Sequence, residues 1–175
     1  VDRRSGFLPP SFSDSKNLGE SLDIPYFWAL DINKDLTLKN RLFVSENPLF
    51  LGEYRHAFEK SNLILDFGYT AGYKKTSATK KPGEKSHFFS KYTKNFKGKN
   101  NSDNSIEITL QDVSNDKYLK LYKIKSNLVE YEKDTLENSF NFNRENENSF
   151  LGFRASSYET LKDGYNDKYE YILPD

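Results

Sequence analysis

The chain contains no cysteine, which excludes disulfides, thiol chemistry and zinc–thiolate sites together. It carries no surplus of charge: 26 Lys and Arg stand against 26 Asp and Glu. Nothing global therefore favours nucleic acid, whose binding needs a positive excess on one face. Histidine occurs twice, as His56 and His87, and neither has the Asp, Glu or His spacing of a metal site. The G-x-S-x-G elbow, the P-loop and G-x-G-x-x-G are all missing, so no catalytic residue, cofactor or metal ligand is expected. Alanine is scarce, which disfavours long helices. No apolar run approaches the ~20 residues that a membrane-spanning helix needs. That leaves a β-barrel open, because barrel strands alternate apolar and polar residues and keep mean hydropathy low.

What is present points to strands. The 175 residues fit one domain. Twelve Tyr and 14 Phe raise the aromatic share to 15 %, too high for a disordered chain. Plentiful Asn and Ser beside them suit strands joined by polar turns. Alternation of period two recurs between turn clusters. Residues 6–13 form a short candidate strand interrupted by Pro9-Pro10. Residues 18–29 follow, with Leu22, Ile24, Tyr26 and Trp28 on one face and Ser21, Asp23 and Phe27 on the other.

A turn at 31–34 leads to a strand over 35–44, and a turn at 45–48 to one over 49–58. After residues 59–62 comes the clearest pattern: Leu63, Leu65, Phe67, Tyr69, Ala71 and Tyr73 oppose Asn62, Asp66, Gly68, Thr70 and Gly72. Residues 74–85 read as a loop by composition. Further strands are expected over 87–96 and 105–110 across a turn at 98–104. A last hairpin is expected over 136–143 and 149–158, across 144–148. Residues 112–133 read as either a short helix or an extra ribbon inside a long loop.

Several of these segments reach the ~9–11 residues that cross a bilayer when tilted, beyond the ordinary strand of ~5–6. Short connections alternate with long ones, as in outer-membrane barrels. A soluble β-sandwich gives the same alternation, so the period alone does not choose between them. The chain opens at Val1 without an initiator Met, shows no signal peptide and ends on strand-like residues 169–173. It is expected to be an internal piece of a longer chain.

The N-terminal third is more specific. Asp2-Arg3-Arg4-Ser5-Gly6-Phe7-Leu8-Pro9-Pro10-Ser11 resembles the DRR-SGFL-x-PS segment with which LptD proteins, the lipopolysaccharide-assembly barrels, enter their first barrel strand. Gly19 followed by Ile24-Pro25-Tyr26-Phe27-Trp28 resembles the second strand of that family. Asp35-Leu36-Thr37-Leu38 and Leu51-Gly52-Glu53-Tyr54-Arg55 resemble later ones. The pieces keep family order and spacing over residues 2–58. The chain departs from the pattern between 39 and 48, where Lys39-Asn40-Arg41 and Asn47-Pro48 replace a Pro-Arg pair and an Arg-Gly turn. Beyond residue 59 the likeness rests mainly on alternation and aromatic content.

The resemblance implies an all-β antiparallel meander, a fragment of a transmembrane outer-membrane barrel that in isolation is an open curved sheet. On this reading residues 1–175 are one partial barrel domain, without the periplasmic domain and the closing strands. The implied function is insertion of lipopolysaccharide into the outer leaflet through a laterally opening barrel, with no enzyme activity. The implied partners are lipopolysaccharide, outer-membrane lipid, a periplasmic lipopolysaccharide bridge (LptA-like) and an LptE-like lipoprotein plug.

Pro10 and Pro25 fall where the family's gate-weakening prolines fall, since proline has no N–H to give a ladder. The plain alternative is that they block unwanted edge pairing. Tyr26 and Trp28 suit an interfacial aromatic girdle and equally suit ordinary packing. Lys74, Lys75, Lys80, Lys81 and Lys85 gather where lipopolysaccharide phosphates would lie outside the cell, or simply keep a loop solvated. Two other classes remain open: a soluble β-sandwich that binds glycans, and another outer-membrane barrel such as a porin.

Overall fold

The structure is a computed structural model that describes residues 3–78, 80, 82–161 and the backbone of 169–172. The strands are β1 Gly6–Phe7, β2 Ser11–Ser15, β3 Gly19–Asp31, β4 Lys34–Phe43, β5 Leu49–Ala57, β6 Ser61–Gly72, β7 Pro82–Lys97, β8 Asp103–Val113, β9 Thr135–Asn146, β10 Ser149–Thr160 and β11 Tyr169–Ile172. One helical turn, α1 Tyr118–Leu121, lies between β8 and β9. Every strand among the described residues joins a single antiparallel sheet, each pairing with its sequence neighbour from β3 to β11; β1 and β2 both pair with β3. The described residues therefore form a meander and not a two-sheet sandwich, and the first strand and β11 are its edges.

The strands are long for globular ones. β3 has 13 residues, β6 12 and β7 16, enough to cross hydrocarbon when tilted. The two rims differ. At one, the connections are 32–33, 58–60, 98–102 and 147–148; at the other they include 44–48, 73–81 and 114–134. Short turns on one rim and long loops on the other characterise transmembrane barrels.

Cross-strand partners share a face, so register sorts the side chains. One row runs Trp28–Leu36–Tyr54–Leu65–Ser90–Leu110, and another Leu63–Tyr92–Ile108–Phe140–Ala155. This outer face leaves Phe50, Phe67, Tyr69, Phe88, Leu110 and Phe153 substantially exposed. Opposite it run Asp35–Arg55–Ile64–Lys91–Thr109–Ser139–Ser156 and Pro25–Lys39–Leu51–Gly68–His87–Val113. Bulky apolar residues thus dominate one face, while the other carries most of the polar and small ones, in the sense that lipid outside and a polar interior require.

The inner face is partly covered by the segment 114–134. Its Tyr118, Leu119, Tyr122, Ile124 and Val129 are buried with Leu18, Leu49, Phe89, Leu136 and Leu161 from strands and connections. The core of the molecule therefore lies between the sheet and its own long connection. Residues 112–133, left open between helix and ribbon, contain both: α1, and an isolated bridge between Lys125 and Glu130.

Three boundaries differ from expectation. β8 extends from Asp103 to Val113 instead of over 105–110, because its partners on β7 continue to Lys97 and His87. β7 begins at Pro82, so the connection after β6 is shorter than 74–85 and Lys85 is a strand residue. Tyr73 leaves the outer row: the register slips between Thr70 and Gly72, and Tyr73 packs against the buried cluster. Gly72 makes this slip possible, since its φ is +92° and a Cβ there would meet the Gly83 carbonyl oxygen at 2.2 Å. Of the terminal strand expected over 169–173, Leu173 lies outside the described residues.

Candidate functional site

The first strand is divided by its prolines. Phe7 opposes Tyr26, whereas Ser11 opposes Asp23, so one extra residue is absorbed at Leu8-Pro9-Pro10. In an antiparallel ladder a hydrogen-bonded pair exchanges two bonds. The Leu8 N–H donates to the Pro25 carbonyl at 2.9 Å, but Pro25 has no N–H to return.

The side on which this bond is lost follows from the neighbours. Glu20 accepts from the Val44 N–H on the β4 side, while the Ala29 N–H donates to the Ser5 hydroxyl on the β1 side. Odd-numbered β3 residues up to Ala29 thus bond toward the first strand. Pro25 costs the β3–β4 ladder nothing and weakens only the hold on that strand. Pro9 and Pro10 remove two further donors. Pro10 is exposed, and Pro25 is buried on the inner face.

The second feature is a buried polar cluster that fastens the segment 114–134 to the sheet. The Nε2 of His87 lies 2.7 Å from Asp66 Oδ1, and its Nδ1 lies 3.0 Å from the Tyr118 hydroxyl. The Ser126 hydroxyl donates to Asp66 Oδ2 at 2.5 Å. Gly68 makes room for this contact: it opposes His87 in register, and a Cβ there would stand 2.5 Å from the imidazole and 2.7 Å from the Tyr118 hydroxyl. Arg41, paired with Asp23 at 2.8 Å, also donates to the Tyr122 carbonyl. Asn127 donates to Glu53 at 3.0 Å. Burial pushes the Tyr118 and Tyr122 phenols up, so both stay neutral near pH 7. The trio Asp66, His87 and Ser126 is not a nucleophilic triad, because the hydroxyl bonds the carboxylate and no base faces it. The cluster is not legible in the sequence; its one trace is that Asp66 falls among the glycines of a small-residue face.

The remaining residues singled out from sequence fall on the outer face and the long-loop rim. Tyr26 and Trp28 share the outer face near the 32–33 turn; the Phe7 ring meets Tyr26 edge-on at 5.0 Å, and Trp28 is half exposed. Lys74 and Lys75 are exposed in the 73–81 connection. Lys80 lies 3.9 Å from Glu46 and 5.4 Å from the centre of the Tyr73 ring. Lys85 is buried within β7, 4.9 Å from that same ring, and is not a loop residue. The structure therefore gathers Lys80 and Lys85 around Tyr73. Lys81 and Asp2 lie outside the described residues. Among the described residues, no group of three His, Cys, Asp or Glu is placed to hold a metal ion.

An unclosed antiparallel meander with an exposed bulky face, a polar inner face and unequal rims is a stretch of transmembrane barrel wall. Comparison with known proteins gives this class a particular relative. About a third of the chain is similar to proteins named LPS-assembly protein LptD. The one from Methylococcus capsulatus is 43% identical over 63 residues, 36% of this chain and 6% of that protein. The Pseudomonas aeruginosa protein is 39% identical over 67 residues, 38% of this chain and 7% of that protein. For Pseudomonas entomophila the identity is 44% over 59 residues, 34% and 6% of the two chains. No family model matches the chain. The chain carries an LptD-like region, and its matched part spans only 6% to 7% of the length of these relatives.

Proposed function

We propose that residues 1–175 are the opening strands of a larger outer-membrane barrel domain that, as a complete protein, inserts lipopolysaccharide into the outer leaflet. The observation that carries this is the pairing of an exposed apolar face on one uninterrupted sheet with LptD similarity over a third of the chain. The barrel acts as a conduit and not as a catalyst. Sugars and phosphates of the cargo stay with the polar inner face, and its acyl chains leave sideways into lipid.

The exit lies along the first strand. Pro25 and the Pro9-Pro10 pair loosen that strand from its neighbour, so it can bend away from whatever strand closes the barrel on its other edge; Pro10 and Pro25 are the gate residues. Tyr26 and Trp28 belong to the interfacial belt near the short-turn rim. Lys74, Lys75, Lys80, Lys81 and Lys85 meet lipopolysaccharide phosphates near the long-loop rim, with Lys85 acting from inside the wall. The partners are an LptE-like lipoprotein plug and a periplasmic lipopolysaccharide bridge. Nothing in the wall itself supplies energy, so delivery is driven from elsewhere.

Depleting the full-length protein in its own cells tests this. Newly made lipopolysaccharide should fail to reach the surface, read by surface labelling after a pulse; undiminished labelling would overturn the reading.

A further inference from the structure

At the short-turn end of the inner face, one buried carboxylate gathers two arginines. Asp35, its side chain 3% exposed, accepts Arg55 Nε at 2.9 Å and Nη2 at 3.0 Å. That bidentate pair alone satisfies the carboxylate's charge. Arg3 adds a second guanidinium: its Nη1 donates to Asp35 Oδ2 at 2.5 Å, and its Nη2 donates to the Ile32 carbonyl at 2.8 Å and the Asp31 carbonyl at 3.4 Å. Lys91 stands further along the same register row, Asp35–Arg55–Ile64–Lys91. All four charged side chains line one depression of about 670 Å³ with Asn62 and Thr93. Lys91 Nζ is ion-paired with Glu107 Oε1 at 3.9 Å, beyond hydrogen-bond reach.

Arg3, Arg55 and Lys91 thus line one depression whose single lining carboxylate is Asp35. Holding the N-terminal segment to Asp35 needs one arginine, and a second beside it is repelled by the first. Two planar forks oriented by a shared carboxylate, with a lysine beside them, match what a phosphate group requires. The bonds above leave Arg55 Nη1 and Arg3 Nε unused. We propose that this depression binds a phosphate group, carried by an amphiphile that enters the barrel at the short-turn rim. The source of that phosphate rests on the export reading; the anion site rests on the geometry.

The test uses the full-length protein with a photo-cross-linking residue at position 93 and a second at position 109 on the same face. The probes are lipopolysaccharide, the same lipid stripped of its phosphates, and inorganic phosphate as competitor. Capture at 93 should fall about tenfold when the phosphates are removed, the loss of one charge-assisted contact. A comparable fall is expected in Lys91→Gln, which leaves the Asp35 cluster intact, and in Arg55→Gln if that variant folds. Competition by inorganic phosphate would show that the anion alone occupies the site. Phosphate-dependent capture without such competition would show that the lipid headgroup is required; either supports the site. Equal capture of both lipids at 93, or capture at 109 alone, would overturn the site and leave export standing. Silence at both positions would overturn the two together.

Discussion

Replacing Pro25 with alanine restores one N–H at a defined place. Leu8 already donates to the Pro25 carbonyl at 2.9 Å, so the new donor meets the Leu8 carbonyl in the reciprocal position of the same pair. A backbone hydrogen bond of this kind contributes about 1 kcal/mol net, which is roughly fivefold in the equilibrium for lifting the first strand from β3. The β3–β4 ladder should not change, because position 25 bonds only toward the first strand. Global unfolding is a poor readout, since losing proline also frees the unfolded chain by about 0.4–1 kcal/mol in the opposite sense. The suitable assay is amide exchange of peptides covering residues 5–15 in the full-length barrel, alongside the rate at which lipopolysaccharide reaches the surface. Pro25→Ala should slow both by about fivefold, and Pro10→Ala together with it by more. Slower exchange with unchanged export would refute the gate. Unchanged exchange would refute the register argument itself.

Other consequences concern the inner face. Gly68→Ala places a Cβ within 2.5 Å of the His87 ring and should unseat the segment 114–134, detected as new protease cleavage between β8 and β9 in an otherwise folded barrel. Asp66→Ala leaves His87 and Ser126 without their shared acceptor and should cost about 1–3 kcal/mol, measured by urea unfolding from lipid vesicles. The Tyr118 and Tyr122 phenols should add no pH dependence to the docking of 114–134 below about pH 10. Above that the undocked Tyr118 and Tyr122 lose protons that the buried phenols keep, so docking weakens as pH rises; absorbance of tyrosinate against protease protection would report it. Leu65→Arg on the outer face should cost about 2–4 kcal/mol near mid-bilayer, whereas Thr109→Arg on the inner face should cost much less.

The strands were legible because their information is local. Alternation such as Leu63, Leu65, Phe67 against Asp66, Gly68, Thr70, bounded by polar turns, needs no distant partner. The break at Pro9-Pro10 was legible for the same reason: proline acts on its own backbone. Information that depends on register was not legible. Tyr73 left its row because of a slip two residues earlier, and Lys85 became a strand residue because β7 starts at Pro82 to stay paired beyond that slip. The inward fold of 114–134 was also hidden. Tyr118, Leu119 and Tyr122 show helical spacing for only one turn, and Ile124 and Val129 follow it without either period. Their burial depends on Leu49 and Phe89, far away in sequence. The Asp66–His87–Tyr118 cluster joins β6, β7 and α1, so each residue alone reads as an ordinary polar position.

A wall that faces lipid stands or falls on which medium touches the outer rows. Single nitroxide labels at successive positions 62 to 69 of the full-length protein in bilayers would decide it, with relaxation by oxygen compared against relaxation by a polar nickel complex. Labels at 63, 65, 67 and 69 should be accessible to oxygen and shielded from nickel, alternating with 62, 64, 66 and 68. Loss of that alternation, or an odd-numbered row shielded from both reagents because a second protein layer covers it, would contradict a wall that faces lipid.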